Sequence, residues 1–169
     1  MPLTRDAPTF LAVMEANKGI IYKVANAYCR DPENRKDLIQ EIVIQLWLGF
    51  PKYDEQFRIT TWMYRIALNV SISFYRKENV REKINAPLRP DIMDLTEDIG
   101  TPEPDSDIGT LHRFIRELRE FDRAIILLYL EENSQQEIAE ILGITSTNVS
   151  TKISRIKEQL KQKFQALKS

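Results

Sequence analysis

A chain of 169 residues that is 43% apolar, 29% charged and 9% aromatic has the make-up of an ordinary soluble globular protein, and its length suits one domain or two small ones. Its longest apolar run, Ala124 to Leu130, is seven residues, against the roughly 20 that a membrane span needs; the stretch from Met1 to Phe10 lacks the basic-then-apolar order of a secretory signal, which points to the cytoplasm. One cysteine (Cys29), one histidine (His112) and five scattered glycines exclude a disulfide framework, a four-ligand Cys/His zinc site and a glycine-rich phosphate loop, so neither a cofactor nor enzymatic activity is expected.

The formal net charge of −1 conceals an uneven distribution. Residues 1–85 carry 13 Lys/Arg against 10 Asp/Glu, and residues 111–169 carry 10 against 8. Between them, residues 86–110 hold one basic residue, Arg89, seven acidic ones, and Pro87, Pro90, Pro102 and Pro104. Such a segment cannot bury enough apolar surface to offset its ordering entropy. It reads as an acidic, proline-containing linker, because a 25-residue structureless loop is uncommon inside a compact domain.

Both flanks read as helical, with no sustained alternation of period two. Apolar residues recur at helical spacing from Ala7 to about Tyr28. A second helix is expected from Asn34 to Leu48, stopped by Gly49 and Pro51, and a third from Ile59 to about Lys83. Past the linker, Thr110 is expected to cap a helix burying Leu111, Phe114, Ile115, Leu118 and Phe121. Asp122 opens the next, and two more run from Gln135 to Leu142 and from Ser146 to about Phe164. The fold class is therefore all-α: two small helical domains, an N-terminal helical bundle (1–85) and a C-terminal four-helix domain (111–169), joined by the linker.

The last two helices carry the pattern of a DNA-reading helix-turn-helix. Ser134 and Glu137 have the spacing of a capping box. Gly143 stands where the turn requires positive φ, Thr145 or Ser146 can cap the next helix, and Ala139 and Val149 suit the crossing. In the final helix Val149, Ile153, Ile156, Leu160 and Phe164 form one stripe at about 100° per residue. Thr147, Asn148, Thr151, Ser154 and Arg155 lie opposite. This suits a helix whose N-terminal end enters the major groove, with Thr151 and Arg155 near base edges and Lys152, Lys157 and Lys161 near phosphate.

Two helices in the N-terminal half carry further signals. In the second, Leu38, Ile39, Ile42, Val43, Leu46 and Trp47 fall on a buried side, whereas Asp37, Gln40, Glu41, Ile44, Gln45 and Leu48 fall on the other. Apolar anchors among acids suit a partner-docking face. The third helix has an apolar stripe at Trp62, Ile66, Val70 and Phe74, and residues 58–83 hold six Lys/Arg against two Glu. Rings interleaved with cations suit single-stranded nucleic acid, and an Asn such as Asn69 can hold an extruded base. The same rings at helical spacing also suit a core.

These stretches, in this order, resemble a sigma-70 family RNA polymerase sigma factor of the extracytoplasmic-function (ECF) type. Asp37-Leu-Ile-Gln-Glu-Ile-Val-Ile-Gln-Leu-Trp47 resembles the family's core-polymerase-binding segment. Thr61-Trp-Met-Tyr-Arg-Ile-Ala-Leu-Asn69 resembles the segment that melts and reads the minus-ten element. Glu137 through Gly143 and Val149 to Arg155 resemble the helix-turn-helix that reads the minus-thirty-five element. The resemblance implies that Asp37, Gln40, Glu41, Ile44, Gln45 and Leu48 dock on the coiled coil of the largest polymerase subunit. Trp62 and Arg65 would stand at the melting junction, Asn69 and Ser73 near a flipped base, and Arg76 and Lys77 on phosphate. Thr147, Asn148, Ser150, Thr151, Lys152, Arg155 and Lys157 would meet the minus-thirty-five element. The linker would thread toward the RNA exit path, and an anti-sigma factor is a further possible partner in this family. One departure stands out: many members follow the Val with Arg or Lys, then Ser, then Arg, where this chain has Ser150-Thr151-Lys152. That removes a guanine-reading Arg and implies an A/T-leaning site read through Thr methyls. The alternative is a stand-alone helix-turn-helix regulator with a sensing or dimerisation domain at residues 1–85.

Overall fold

The computed structural model describes residues 3–85 and 106–168, with side chains at 3–80 and 106–168. The chain divides into two compact units, residues 1–96 and 97–169. Among the described residues all regular structure is helical, in keeping with the all-α expectation.

The first unit contains α1 (Ala7–Tyr28), α2 (Pro32–Gly49), a 3-10 turn (Phe50–Lys52) and α3 (Ile59–Asn85). Asp6 caps α1 by accepting from the Thr9 amide at 2.9 Å. At Asn17 the helix leaves helical geometry (φ −126°, ψ 19°), and the Asn17 side chain donates to the Val13 carbonyl at 2.9 Å. α2 begins two residues earlier than the expected Asn34. Asp31 is its cap and Pro32 its first residue, whose fixed φ is already helical.

α3 packs on both α1 and α2, which also pack on each other. The core joins Phe10, Met14, Ile21, Val24 and Tyr28 of α1 to Leu38, Ile42 and Leu46 of α2, together with Phe50. Each such side chain contributes on the order of 1.5–3 kcal/mol by leaving water. From α3 the buried residues are Thr61, Met63, Tyr64, Ala67, Leu68 and Ser71. The expected stripe of Trp62, Ile66, Val70 and Phe74 is only half-buried. Ala67 and Ser71 occupy the centre because small side chains let three backbones approach, and the larger residues flank them.

The second unit contains α4 (Asp107–Glu117), α5 (Glu120–Leu130), α6 (Gln135–Leu142) and α7 (Ser146–Lys168). α4 starts ahead of the expected Thr110 cap. Ser106 is the cap, accepting from the Gly109 amide at 2.9 Å, and the Thr110 hydroxyl donates back to the Ser106 carbonyl at 3.1 Å. Asp107 to Thr110 are thus helical, and the rest of the expected linker, 86–105, lies outside the described residues. Glu120, rather than Asp122, opens α5, and α7 continues past Phe164 to Lys168. The buried Arg123 ties α4 to α5: its Nη2 donates to the carbonyls of Arg116 and, at 3.0 Å, Leu118. A guanidinium removed from water needs such acceptors, and here they are carbonyls at the end of α4 that have no helical partner.

Candidate protein-docking and nucleic-acid interfaces

On α2 the outward face forms as expected. Asp37, Gln40 and Glu41 are exposed, and Ile44 and Leu48 keep 50% and 61% of their surface. Gln45, partly covered, donates to Glu41 at 3.1 Å. Trp47, expected on the buried side, is 43% exposed. Its ring meets Phe10 edge-on at 5.0 Å, so the indole packs on α1 while much of its surface stays open. This outward face therefore offers three large apolar groups within five residues, Ile44, Trp47 and Leu48, beside the acids.

Trp62 stands at the end of an aromatic cluster, 6.0 Å from Phe50 and 5.2 Å from Tyr53. Gly49 permits this approach, because a Cβ there would meet Ile66 Cδ1 at 3.3 Å and Trp62 Cζ2 at 3.7 Å. The Arg65 guanidinium lies 4.5 Å from the Phe57 ring centroid. Beyond it Asn69, Ser73, Arg76 and Lys77 are exposed; with Arg65, the spacing of four puts Asn69, Ser73 and Lys77 in one row along α3. A groove of about 860 Å³ is lined by Asp37, Glu41 and Gln45 of α2 and by Asn69, Val70, Ser73, Phe74, Lys77 and Glu78 of α3. Residues expected to meet protein and residues expected to meet DNA thus share one groove. Trp62, Arg65 and Arg76 do not line it.

The α2–α3 loop is closed on itself. The Phe57 amide donates to the Asp54 carbonyl at 3.1 Å, the Gln56 amide donates to the Asp54 carboxylate at 3.0 Å, and the Tyr53 hydroxyl donates to the Phe57 carbonyl. Burial, and then the charge of Glu55, push the Tyr53 hydroxyl up from its ordinary value. The part played by Phe57 was not visible in sequence spacing, since a ring in a loop has no period to betray its partner.

In the second unit the helix-turn-helix forms as read. Ser134 and Glu137 make both bonds of the capping box. Gly143 adopts φ 71° and ψ 34°, and Thr145 Oγ1 accepts from the Asn148 amide at 3.1 Å. Val149, Ile153, Ile156 and Leu160 are buried, and Phe164 meets Phe114 edge-on at 5.1 Å. Thr147, Asn148, Thr151, Arg155 and Lys157 are exposed, whereas Ser150 and Lys152 are half-buried. Thr151 Oγ1 donates to the Thr147 carbonyl at 3.0 Å. Lys157 lies over the Tyr129 ring at 4.5 Å. Lys152 leans toward α5, with Nζ 4.0 Å from Asp122 and 5.6 Å from the Phe121 ring centroid. It lines a hollow of about 400 Å³ with Arg155 and with Arg119, a third cation that the spacing along α7 could not reveal.

Among the described residues no three His, Cys, Asp or Glu side chains converge to hold a metal ion, and no helix is long and apolar enough to cross a membrane.

Comparison with known proteins adds identity to this geometry. Residues 13–81 match the family model of Sigma-70 region 2, and residues 108–160 match that of Sigma-70, region 4. The chain is 27% identical over 173 residues to the ECF RNA polymerase sigma factor SigW of Bacillus subtilis, covering 96% of this chain and 92% of that protein. It is 29% identical over 131 residues to the RNA polymerase sigma factor SigZ of the same organism, covering 75% and 70%. Among solved structures, CnrH in complex with the cytosolic domain of CnrY superposes with a TM-score of 0.69 at 17% identity, over 95% of this chain and 90% of that one. The sigma factor RpoE in complex with the anti-sigma factor NepR from Bartonella quintana gives 0.63 at 18%, over 90% and 91%; at these identities the likeness is one of fold. With a region 2 match on the three-helix unit, a region 4 match on the helix-turn-helix unit and full-length ECF relatives, the chain belongs to the sigma-70 family of RNA polymerase sigma factors, in the ECF group.

Proposed function

We propose that this ECF sigma factor divides its work by surface. Residues 1–85 dock core RNA polymerase and open the minus-ten element, residues 111–169 read the minus-thirty-five element, and the acidic segment between them occupies the path to the RNA exit. Asp37, Gln40, Glu41, Ile44, Gln45 and Leu48, with Trp47, form the docking face for the coiled coil of the largest subunit. Trp62 and Arg65 stand at the upstream edge of the opened bases. Asn69 and Ser73 hold a base edge, and Arg76 and Lys77 meet phosphate. Thr147, Asn148, Ser150, Thr151, Arg155 and Lys157 meet the minus-thirty-five element, with Lys152 and Arg119 on its backbone. An anti-sigma factor, as in the complex of RpoE with NepR, is a further partner. The role needs no chemistry from the chain itself, and it is exercised where the polymerase is, in the cytoplasm.

The observation that carries this reading is the arrangement of one small unit. It presents Asp37, Glu41 and Gln45 of α2 and Asn69, Ser73 and Lys77 of α3 along a common groove, with the exposed Ile44 and Leu48 on the same outward face of α2. The energetics fit. Stacking a base on a ring is worth about 1–3 kcal/mol, whereas a base-pair step costs about 1.4 kcal/mol to open. Trapping two or three bases therefore offsets the opening of a comparable number of steps.

For the minus-thirty-five element, the hydroxyl of Thr151 is engaged by the Thr147 carbonyl, which leaves its methyl as the group able to meet a thymine. This supports an A/T-leaning site.

The test is run-off transcription with core polymerase on genomic fragments, mapping start sites, followed by permanganate footprinting on a mapped promoter. Start sites that depend on the chain are expected. Asn69→Ala should lower thymine reactivity near the start by about tenfold, since a lost amide contact to an extruded base is worth about 1–3 kcal/mol, and should leave core binding unchanged. Footprints identical to wild type remove the role given to Asn69.

A further inference from the structure

Ahead of α1, Leu3 and Arg5 contact the segment between α2 and α3, and Asp6 caps α1. The Leu3 amide donates to Glu55 Oε1 at 2.5 Å, and Arg5 Nη2 donates to the Tyr53 carbonyl at 2.9 Å. The Arg5 guanidinium lies 5.3 Å from the Phe50 ring centroid and 5.2 Å from that of Tyr53. Its Nη1 is 3.8 Å from Glu55, and the side chain is only 26% exposed. Asp6 then turns the backbone into α1 by capping it. One arginine thus engages the turn after α2 and the loop before α3 at once, through a carbonyl, two rings and a carboxylate. A flexible side chain immobilised this way loses rotamer entropy, so the geometry persists because charge, ring face and carbonyl act together.

The loop that Arg5 holds is the one against which the α3 surface is built. Tyr53 and Phe50 form the wall behind Trp62, and Tyr53 closes on Phe57, whose ring carries Arg65. Arg5 reaches neither Trp62 nor Arg65 by any of these contacts. Its influence on them passes through Phe50, Tyr53 and Phe57.

We infer that residues 3–6 are a strap, and that Arg5 is a positioning residue that holds the α2–α3 loop in the one conformation that presents Trp62 and Arg65 to opened strands. This rests on the reading of α3 given above. Without the strap the loop samples other closures, and capture of a base is weakened by the fraction of time the competent one is lost. The docking face is spared, because Ile44, Glu41 and Asp37 lie on the body of α2, whereas the contacts of Leu3 and Arg5 fall on Phe50, Tyr53 and Glu55.

The test uses holoenzyme assembled from core polymerase and the full chain, wild type or variant, on a promoter mapped by run-off transcription. Permanganate reactivity is measured beside core affinity and the thermal midpoint of the chain. Arg5→Ala is expected to lower strand opening by roughly five- to tenfold, as a fall of the competent loop to a tenth or fifth of the population requires. Core affinity should stay at the wild-type value, and the midpoint should fall by no more than the small amount that loss of these contacts from a folded unit entails. Arg5→Lys, which keeps a cation over both rings but loses the fork, should recover part of the opening. Unchanged opening with Arg5→Ala overturns the strap alone if Asn69→Ala is still defective, and overturns the reading of α3 with it if Asn69→Ala is also unchanged. A fall in core affinity or midpoint that matches the loss of opening, unrelieved in Arg5→Lys, also overturns it, since Arg5 then serves folding only.

Discussion

Cys29 ends α1. Its amide donates to the Ala25 carbonyl at 2.9 Å and its thiol contacts the Asp31 carbonyl at 3.6 Å, so it links the last turn of one helix to the cap of the next. Burial pushes the thiol from its ordinary 9.0 up to about 11. Two outcomes follow. At pH 8 the folded chain has about a hundredfold less thiolate than the unfolded chain, so iodoacetamide should alkylate it at least that much more slowly in buffer than in denaturant. Equal rates, read by mass spectrometry, contradict the burial. Because the folded value is the higher one, the unfolded chain ionises first as pH rises. The contribution of Cys29 to stability is present below pH 9 and is lost as pH climbs from about 9 to about 11.

Trp47 and Arg119 belong to the same scale and were read less well. The helical wheel gave Trp47 to the core because its angle matches that of Val43, which is half-buried. Only the position of Phe10 on the neighbouring helix decides how much of the indole stays open. Arg119 precedes α5 and lines one hollow with Lys152 and Arg155 of α7, a separation in sequence that no spacing rule spans.

At the scale of elements, the helix-turn-helix depends on Gly143. Its φ of +71° is a left-handed conformation, and a Cβ there would have nothing within 4 Å. The penalty for Gly143→Ala is therefore one of backbone alone, about 1–2 kcal/mol. For a small domain each kcal/mol lowers the melting midpoint by about 4–8 °C. Calorimetry that detects no change in the transition of the C-terminal unit removes the strain argument. α2 is judged differently, by its partner. Ile44 and Glu41 are exposed, so Ile44→Asp with Glu41→Lys should leave the fold intact and abolish co-purification with core polymerase. Each central anchor of an interface is worth about 2 kcal/mol or more, roughly thirtyfold in affinity. A double variant that still co-purifies at the wild-type level removes the docking face.

For the molecule as a whole, the separating measurement is a gel shift on duplex promoter DNA at fixed salt, with and without core enzyme. The chain carries a formal net charge of −1, although residues 58–83 hold six Lys/Arg against two Glu and residues 146–168 six against one. Alone it should bind duplex only in the non-specific range of about 10⁻⁴–10⁻⁶ M at physiological salt, with core tightening it by orders of magnitude. Nanomolar sequence-specific binding unaided is the behaviour of a stand-alone regulator and is not expected of this family member.

What the sequence determined by itself is what local interactions decide. Helix positions follow from caps and from contacts three and four residues apart, so the capping box at Ser134, the turn at Gly143 and the apolar stripe of α7 were all legible, as were the outward acids of α2. The motifs of α2, α3 and the helix-turn-helix named the family for the same reason, since each lies within one or two helices. Tertiary structure alone decided which side of α3 is the core. With α1 and α2 both against it, the centre falls on Met63, Ala67 and Ser71, and Trp62 is left at the edge, where it meets Tyr53. It also decided that Asp37 and Asn69 line one groove and that Arg5 reaches a loop about fifty residues further on. Burial on a helix is fixed by how many neighbours pack on it and from where, and those neighbours are remote in the chain.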